Sequence, residues 1–235
     1  MKRCFFRICT VLFLLLPGCG APTVGDVGAV RQFFAMDTVM QTTVYGADQE
    51  EASDAVQAEI NRLEQLLSRT RTQSQVAQIN SRAGDGTAIA VDREVFELLS
   101  QAKAYAEDTG GCFDTTISPV MDAWGFTREN NRVPSREELE RLLPLVDSEG
   151  LILDEAACSA RLVRAGAALD LGAVAKGYAA GRAVEILRSY DVESALLALG
   201  GNITALGVRY DSAPWKVAVR DPAGGSNYLC VLSLE

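Results

Sequence analysis

Histidine is missing from the sequence altogether. Its absence removes the base of a Ser-His-Asp triad, the partner of a Cys-His pair and the commonest ligand of transition metals. Any metal would have to be a hard cation held by oxygen, such as Mg2+ or Ca2+. Basic charge is also short: 22 Lys and Arg stand against 31 Asp and Glu, a net charge of -9. Nucleic-acid binding rests on neutralising phosphates with basic side chains, so this balance argues against a nucleic-acid partner. Cysteines are few and show no CxxC spacing, which argues against a zinc site or a disulfide framework. Cys112, Cys158 and Cys230 are expected as small core residues. The N-terminal apolar run, Cys4 to Leu16, is interrupted by Arg7 and is too short to span a bilayer as a permanent helix.

That run nevertheless has the layout of an export signal. Met1-Lys2-Arg3 gives a positive start, the apolar stretch follows, and Leu15-Leu16-Pro17-Gly18-Cys19 ends it. The ending resembles a lipobox, despite the unusual Pro17, and would make Cys19 the first mature residue and the site of lipidation. Two or more acyl chains would anchor the protein stably, since each buried CH2 contributes about 0.8 kcal/mol. The alternative is plain secretion with a free Cys19. The expected location is the extracytoplasmic side of the cell membrane, reached through the lipid. Residues 1–18 are thus a signal peptide. Residues 19–30, rich in Gly, Pro and small side chains, are a flexible tether. Residues 31–235 form one domain, and an apolar content of 48% suffices for one sizeable core.

Within the domain, 31–45 is dense in aromatic, Val and Thr residues and predicts one strand or a bent pair. Residues 49–67 and 92–107 carry apolar side chains at helical spacing, the second with Asp92 as N-cap. Residues 112–126 have no period and are expected as an ordered loop. Ser135 followed by Glu138 opens a short helix with a capping box. Residues 151–169 suggest short antiparallel strands, 172–190 a helix, and 194–199, 215–219 and 228–234 strands. The fold class is α+β.

Three glycine-punctuated clusters carry the candidate chemistry. The first, Gly110-Gly111-Cys112-Phe113-Asp114-Thr115-Thr116-Ile117-Ser118-Pro119-Val120, closes on Trp124-Gly125-Phe126. Glycine lets backbone approach a ligand, an aromatic can cover a flat ring, and a carboxylate can fix an NH or hydroxyl. A structural loop would look the same. In the second, Leu169-Asp170-Leu171-Gly172-Ala173-Val174-Ala175-Lys176, a strand enters a helix whose N-terminal NH groups and Lys176 suit a pyrophosphate. The plain reading makes Asp170 an N-cap and Lys176 a solvated side chain. The third, Leu199-Gly200-Gly201-Asn202, followed by Trp215 to Pro222, is by itself a turn with a core tryptophan.

In order, FFAMDT, GGCFDTTISPV with WGF, LDLGAVAKGYA, LGGNI and WKVAVRDP resemble the ApbE family, the FAD:protein FMN transferases. The resemblance runs from about Phe33 to the end of the chain. It implies a T-fold-like α+β enzyme of mixed antiparallel sheets with packed helices. Its substrate would be FAD and its metal Mg2+. It would cleave FAD, release AMP and join FMN by a phosphoester to a threonine of an acceptor protein at the membrane or cell envelope. The alternatives are an FAD pyrophosphatase, a non-catalytic FAD-binding lipoprotein or an inactive fragment. By motif matching, Met36, Thr70, Cys112, Phe113, Asp114, Asp170 and Lys176 would contact FAD, and the Ala173 backbone carbonyl would bind the metal. Thr70 stands where an aromatic is common in the family, and Asp37 where glycine is. No catalytic side chain is assigned. The family's later Ser-Gly-Asp, His-x-x-Asp-Pro and Asp-Ala-x-x-Thr stretches do not occur before Glu235, so the domain is expected to be incomplete at its C-terminus and to lack the metal carboxylates.

Overall fold

The computed structural model describes residues 28–126, 131–224 and 227–234. The expected signal peptide, Cys19 and most of the tether lie outside these residues. The chain opens with an antiparallel hairpin, β1 (Ala29–Ala35) and β2 (Thr38–Tyr45). Strand β1 starts two residues inside the expected 19–30 tether, because Ala29 and Val30 pair with Val44 and Thr43. Helix α1 (Gln49–Leu67) follows and buries Ala52, Val56, Ile60, Leu63 and Leu67 along one stripe. Then come α2 (Gln75–Ser81), β3 (Ile89–Ala90) and α3 (Arg93–Asp108). Asp92 occupies the N-cap of α3 in an extended conformation, but its side chain makes no capping bond.

The stretch expected as a loop contains α4 (Ser118–Trp124). Pro119 presets its first turn, and Gly125 at φ 78° terminates it. Seven residues are too few to display a period, which is why the sequence hid it. Helix α5 (Arg136–Leu142) has the expected cap, with the Ser135 hydroxyl accepting from the Glu138 NH. Strands β4 (Leu151–Asp154) and β5 (Ser159–Leu162) lead to α6 (Gly172–Ser189). The chain continues through β6 (Ser194–Leu199), β7 (Asn202–Leu206), β8 (Trp215–Arg220) and β9 (Tyr228–Leu234). The Gly200-Gly201 turn therefore joins two strands, β7 being the one the sequence did not announce.

One sheet has the order β1-β2-β6-β7, a second β3-β5-β4, and β8-β9 is a separate hairpin; every pairing among these strands is antiparallel. The four-stranded sheet turns Met40, Val44, Ala195, Leu197 and Leu199 into the core, all fully buried. Helices α1 and α6 join them there. Four of the five buried residues of α6 are alanines, which lets its backbone approach α1 closely. Truncating a fully buried leucine such as Leu197 to alanine would cost about 2–5 kcal/mol, the lost transfer free energy plus that of the cavity left behind. The cysteines are not core residues: Cys112 and Cys230 are exposed and Cys158 is half-buried, all three unbridged. Cys112 lies in the turn after α3, and Cys230 lies on β9, which is exposed on both faces.

Candidate functional site

A cleft of about 470 Å³ opens where four parts of the chain meet. These are the hairpin tips around Met36–Thr38 and Gly200, the end of α1 with Ser68–Thr70, the region of α4 with Met121 and Phe126, and the start of α6. Both hairpins close through two-residue turns with both central φ values positive, as a tight right-twisted hairpin requires. In the second turn the residues are Gly200 and Gly201. In the first they are Met36 at φ 49° and Asp37 at φ 57°. Side chains are disfavoured there by about 1–2 kcal/mol each, and such strain concentrates at functional sites. The two tips touch: a Cβ on Gly200 would overlap the Thr38 side chain.

Arg69 ties the cleft together. Its Nε donates to Asp170 Oδ2 at 2.9 Å, Nη1 to Ser118 Oγ at 2.8 Å and Nη2 to Asp122 Oδ1 at 2.8 Å. One guanidinium thus joins the end of α1 to α4 and to the start of α6. Asp170 is held again by its other oxygen, which accepts from the Gly172 NH at 2.8 Å. Its own NH donates to the Thr115 carbonyl at 2.7 Å. Asp170 is therefore one residue outside the N-cap position, which falls on Leu171. Glu64 is neutralised by Arg71 at 2.9 Å. The Lys176 ammonium reaches only the Gly172 carbonyl, at 3.4 Å, and makes no ion pair among the described residues. No acidic residue occupies the first turn of α6. A helix start and a spare ammonium thus share one wall, beside Asp170 and Glu64, each matched by an arginine; the third carboxylate of the lining, Asp37, sits at the hairpin tip without an ion pair among the described residues. That arrangement favours an anion.

Of the expected FAD contacts, the cleft brings together Met36, Thr70, Asp170 and Lys176. Cys112, Phe113 and Asp114 are not among its lining residues. Phe113 packs edge-on against Tyr105 at 6.3 Å. Asp114 uses both oxygens within the protein: one accepts from the Thr116 NH and hydroxyl, both at 2.7 Å, the other from the Ser148 NH at 2.9 Å. The Thr116 hydroxyl in turn accepts from the Asp147 NH. This knot fixes the strand-like segment that holds Asp170 in place. Arg69 and Met121 were not singled out from the sequence. A half-buried arginine in a Ser-Arg-Thr turn has no local signature, since Ser118, Asp122 and Asp170 are distant along the chain.

Ala173 lies in the first turn of α6, where carbonyls accept the helix's own NH groups. Among the described residues no group of three or more His, Cys, Asp or Glu is arranged to hold a metal ion. With Asp114 and Asp170 committed to protein donors, these residues do not by themselves fit an Mg2+ site.

Behind the cleft, a charge network braces α1, α3 and α6. Arg62 donates to Glu59 at 2.7 Å and to Glu94 at 2.7 Å, Arg182 lies 3.4 Å from Glu59, and the Tyr178 hydroxyl donates to Glu94 at 2.7 Å. The hydrogen bond from Arg62 is the largest effect on Glu59 and lowers its pKa. Burial, then the bond to Glu94, pushes the Tyr178 phenol up.

This is an α+β protein whose cleft sets a helix start and a lysine ammonium beside an apolar wall. The sequence model of the ApbE family matches residues 36–235, and the chain belongs to that family. It is 31% identical to the FAD:protein FMN transferase of Treponema pallidum, covering 94% of this chain and 66% of that one. It is 37% identical to one from Klebsiella pneumoniae, over 76% of this chain and 54% of the relative. The chain therefore spans about half to two thirds of these relatives. The crystal structure of an ApbE protein from Thermotoga maritima superposes with a TM-score of 0.80 at 31% identity, covering 88% of this chain and 67% of that one. The apo flavinyl transferase ApbE of Pseudomonas stutzeri shares the fold, with a TM-score of 0.76 at 24% identity over 92% and 70% of the two chains.

Proposed function

We propose that this chain is the FAD-binding part of an FAD:protein FMN transferase. The observation that carries this reading is Lys176, which makes no ion pair among the described residues, one turn into α6 and on a cleft whose Asp170 is already neutralised by Arg69. A pyrophosphate brings two negative charges, and its transfer chemistry needs positioning and charge neutralisation rather than covalent help from protein. Lys176 and the helix start hold the phosphates, and the apolar side chains around Met36 and Met121 hold the uncharged part. An acceptor threonine oxygen then forms a bond to the phosphorus of the FMN half. The bond from that phosphorus to the bridging oxygen breaks, AMP leaves, and the hydroxyl proton passes to solvent. Dependence on Mg2+ belongs to the same reading, with ligands beyond the Ala173 carbonyl. So does lipidation at Cys19, which would place the cleft outside the membrane among envelope acceptors. Cys19→Ala should then release the protein from the membrane fraction and abolish fatty-acid labelling; persistent labelling would refute the anchor.

The function is tested by incubating the chain with FAD, Mg2+ and a threonine-bearing acceptor, with and without EDTA. Metal-dependent AMP release together with a covalently fluorescent acceptor would support the transferase with its metal ligands completed, since the described residues by themselves do not fit Mg2+. AMP without labelled acceptor would indicate a pyrophosphatase, and FAD binding without AMP a carrier. Lys176→Ala should weaken FAD binding by about 1.5–3 kcal/mol through loss of a charge-assisted contact, and leave riboflavin binding unchanged. Superimposable FAD titrations of mutant and parent would remove Lys176 from the site.

A further inference from the structure

Phe126 is the one aromatic side chain among the described residues that line the cleft. It is 57% exposed. A lone exposed phenylalanine is unremarkable on a protein surface, but this one is placed by its neighbours. Gly125, in the left-handed conformation at φ 78°, turns the chain sharply after α4. The turn sets the Phe126 ring parallel to that of Trp124, with an interplanar angle of 6° and centroids 6.0 Å apart. Offset parallel rings at such separations attract one another. Trp124, half-buried, thus backs Phe126 and fixes its plane. Met121, one turn earlier on α4, and Met36 from the hairpin tip line the same cleft with polarisable, adaptable side chains.

We infer that Phe126, backed by Trp124, is a stacking platform in the cleft for a planar heterocyclic ring. The inference rests on the proposed FAD reading and deepens it. FAD carries two such rings, isoalloxazine and adenine, and both offer the π-face the platform requires. The phosphates sit at α6, and the ring lies across the cleft on the α4 side. Because Arg69 ties α4 to Asp170 through Ser118 and Asp122, the platform and the anion seat keep a fixed separation.

The test compares the full chain with Phe126→Ala, Phe126→Leu and Phe126→Tyr, titrated with FAD, riboflavin and ADP. Thermal unfolding checks that each variant is folded. Removing an aromatic partner of a stacked base should weaken FAD binding about tenfold in the Ala variant. Tyr should restore affinity and Leu should not, since bulk without a π-face does not stack. Weakened riboflavin with unchanged ADP would place the flavin on the platform, and the reverse would place adenine there. Unchanged FAD affinity in Phe126→Ala, with the parent binding FAD, overturns the platform and leaves the flavin reading standing. Absence of saturable FAD binding by the parent overturns both.

Discussion

Arg69 has its guanidinium committed on three sides, to Asp170, Ser118 and Asp122, while its side chain is only 15% exposed. Arg69→Met keeps most of the length and removes the charge. It should destabilise the fold by about 2–4 kcal/mol, because Asp170 is then left part-buried without its cation. The urea midpoint should fall with an unchanged slope. Arg69→Lys should recover less than half, since an ammonium cannot serve three partners in a fixed fork. Equal stability of Met variant and parent would show that the clamp is not structural. At the neighbouring tip, Gly200→Ala should also destabilise, by about 1–3 kcal/mol, because φ is +60° and the new methyl meets Thr38. Among single residues, Lys176 and Asp170 were legible in the sequence because they sit at fixed offsets from a helix start. Arg69 was not, because what defines it is three partners from elsewhere in the chain. Asp114 was legible as a polar residue in a special loop. That the loop closes on Ser148 was not.

At the scale of elements, α1, α3 and α6 are joined by the Glu59–Arg62–Glu94–Arg182 network with Tyr178. The hydrogen bond from Arg62 holds the Glu59 carboxyl below the ordinary glutamate value that it has in the unfolded chain. Its contribution to stability is therefore complete above that unfolded value and lost as pH falls through the lower folded value. The melting temperature of Glu59→Gln should lie below that of the parent at neutral pH. The gap should close as pH falls through the depressed folded value, where the parent's carboxyl becomes protonated and resembles the amide. A gap that persists at acid pH would mean that Glu59 acts through packing rather than charge. The long helices were legible because α1 and α3 repeat their apolar stripe over several turns. Helix α4 was hidden because it is shorter than two full repeats of that stripe. Strand β7 was hidden behind a Gly-Gly turn that the chain could have used merely to bend.

Over the whole molecule, the order of motifs was legible and the assembly of sheets was not. Strand β2 pairs with β6, from Met40 with Leu199 to Tyr45 with Ser194, across most of the chain. No local pattern announces such a partner. The β8–β9 hairpin pairs with neither other sheet, although Trp215 packs it near Tyr45 of β2, and β9 exposes Tyr228, Leu229, Val231 and Leu232 at 62%, 63%, 58% and 47%. An exposed apolar strand promotes association. Leu229→Lys combined with Val231→Lys should reduce concentration-dependent association in sedimentation velocity. Stability should stay within about 0.5 kcal/mol of the parent, as for surface substitutions. Undiminished association would locate the sticky surface elsewhere.

The proposed seat of FAD is the cleft between the hairpin tips, α1, α4 and α6, with its phosphates at the start of α6. Amide hydrogen exchange of the chain, with and without saturating FAD, maps that seat. Binding should slow exchange in residues 36–38, 68–70, 118–126 and 170–176. The outer face of α3 around residues 93–101 should be unaffected. Protection confined to other segments, or no protection at the start of α6 while FAD is bound, would place the ligand elsewhere and overturn the anion seat at α6.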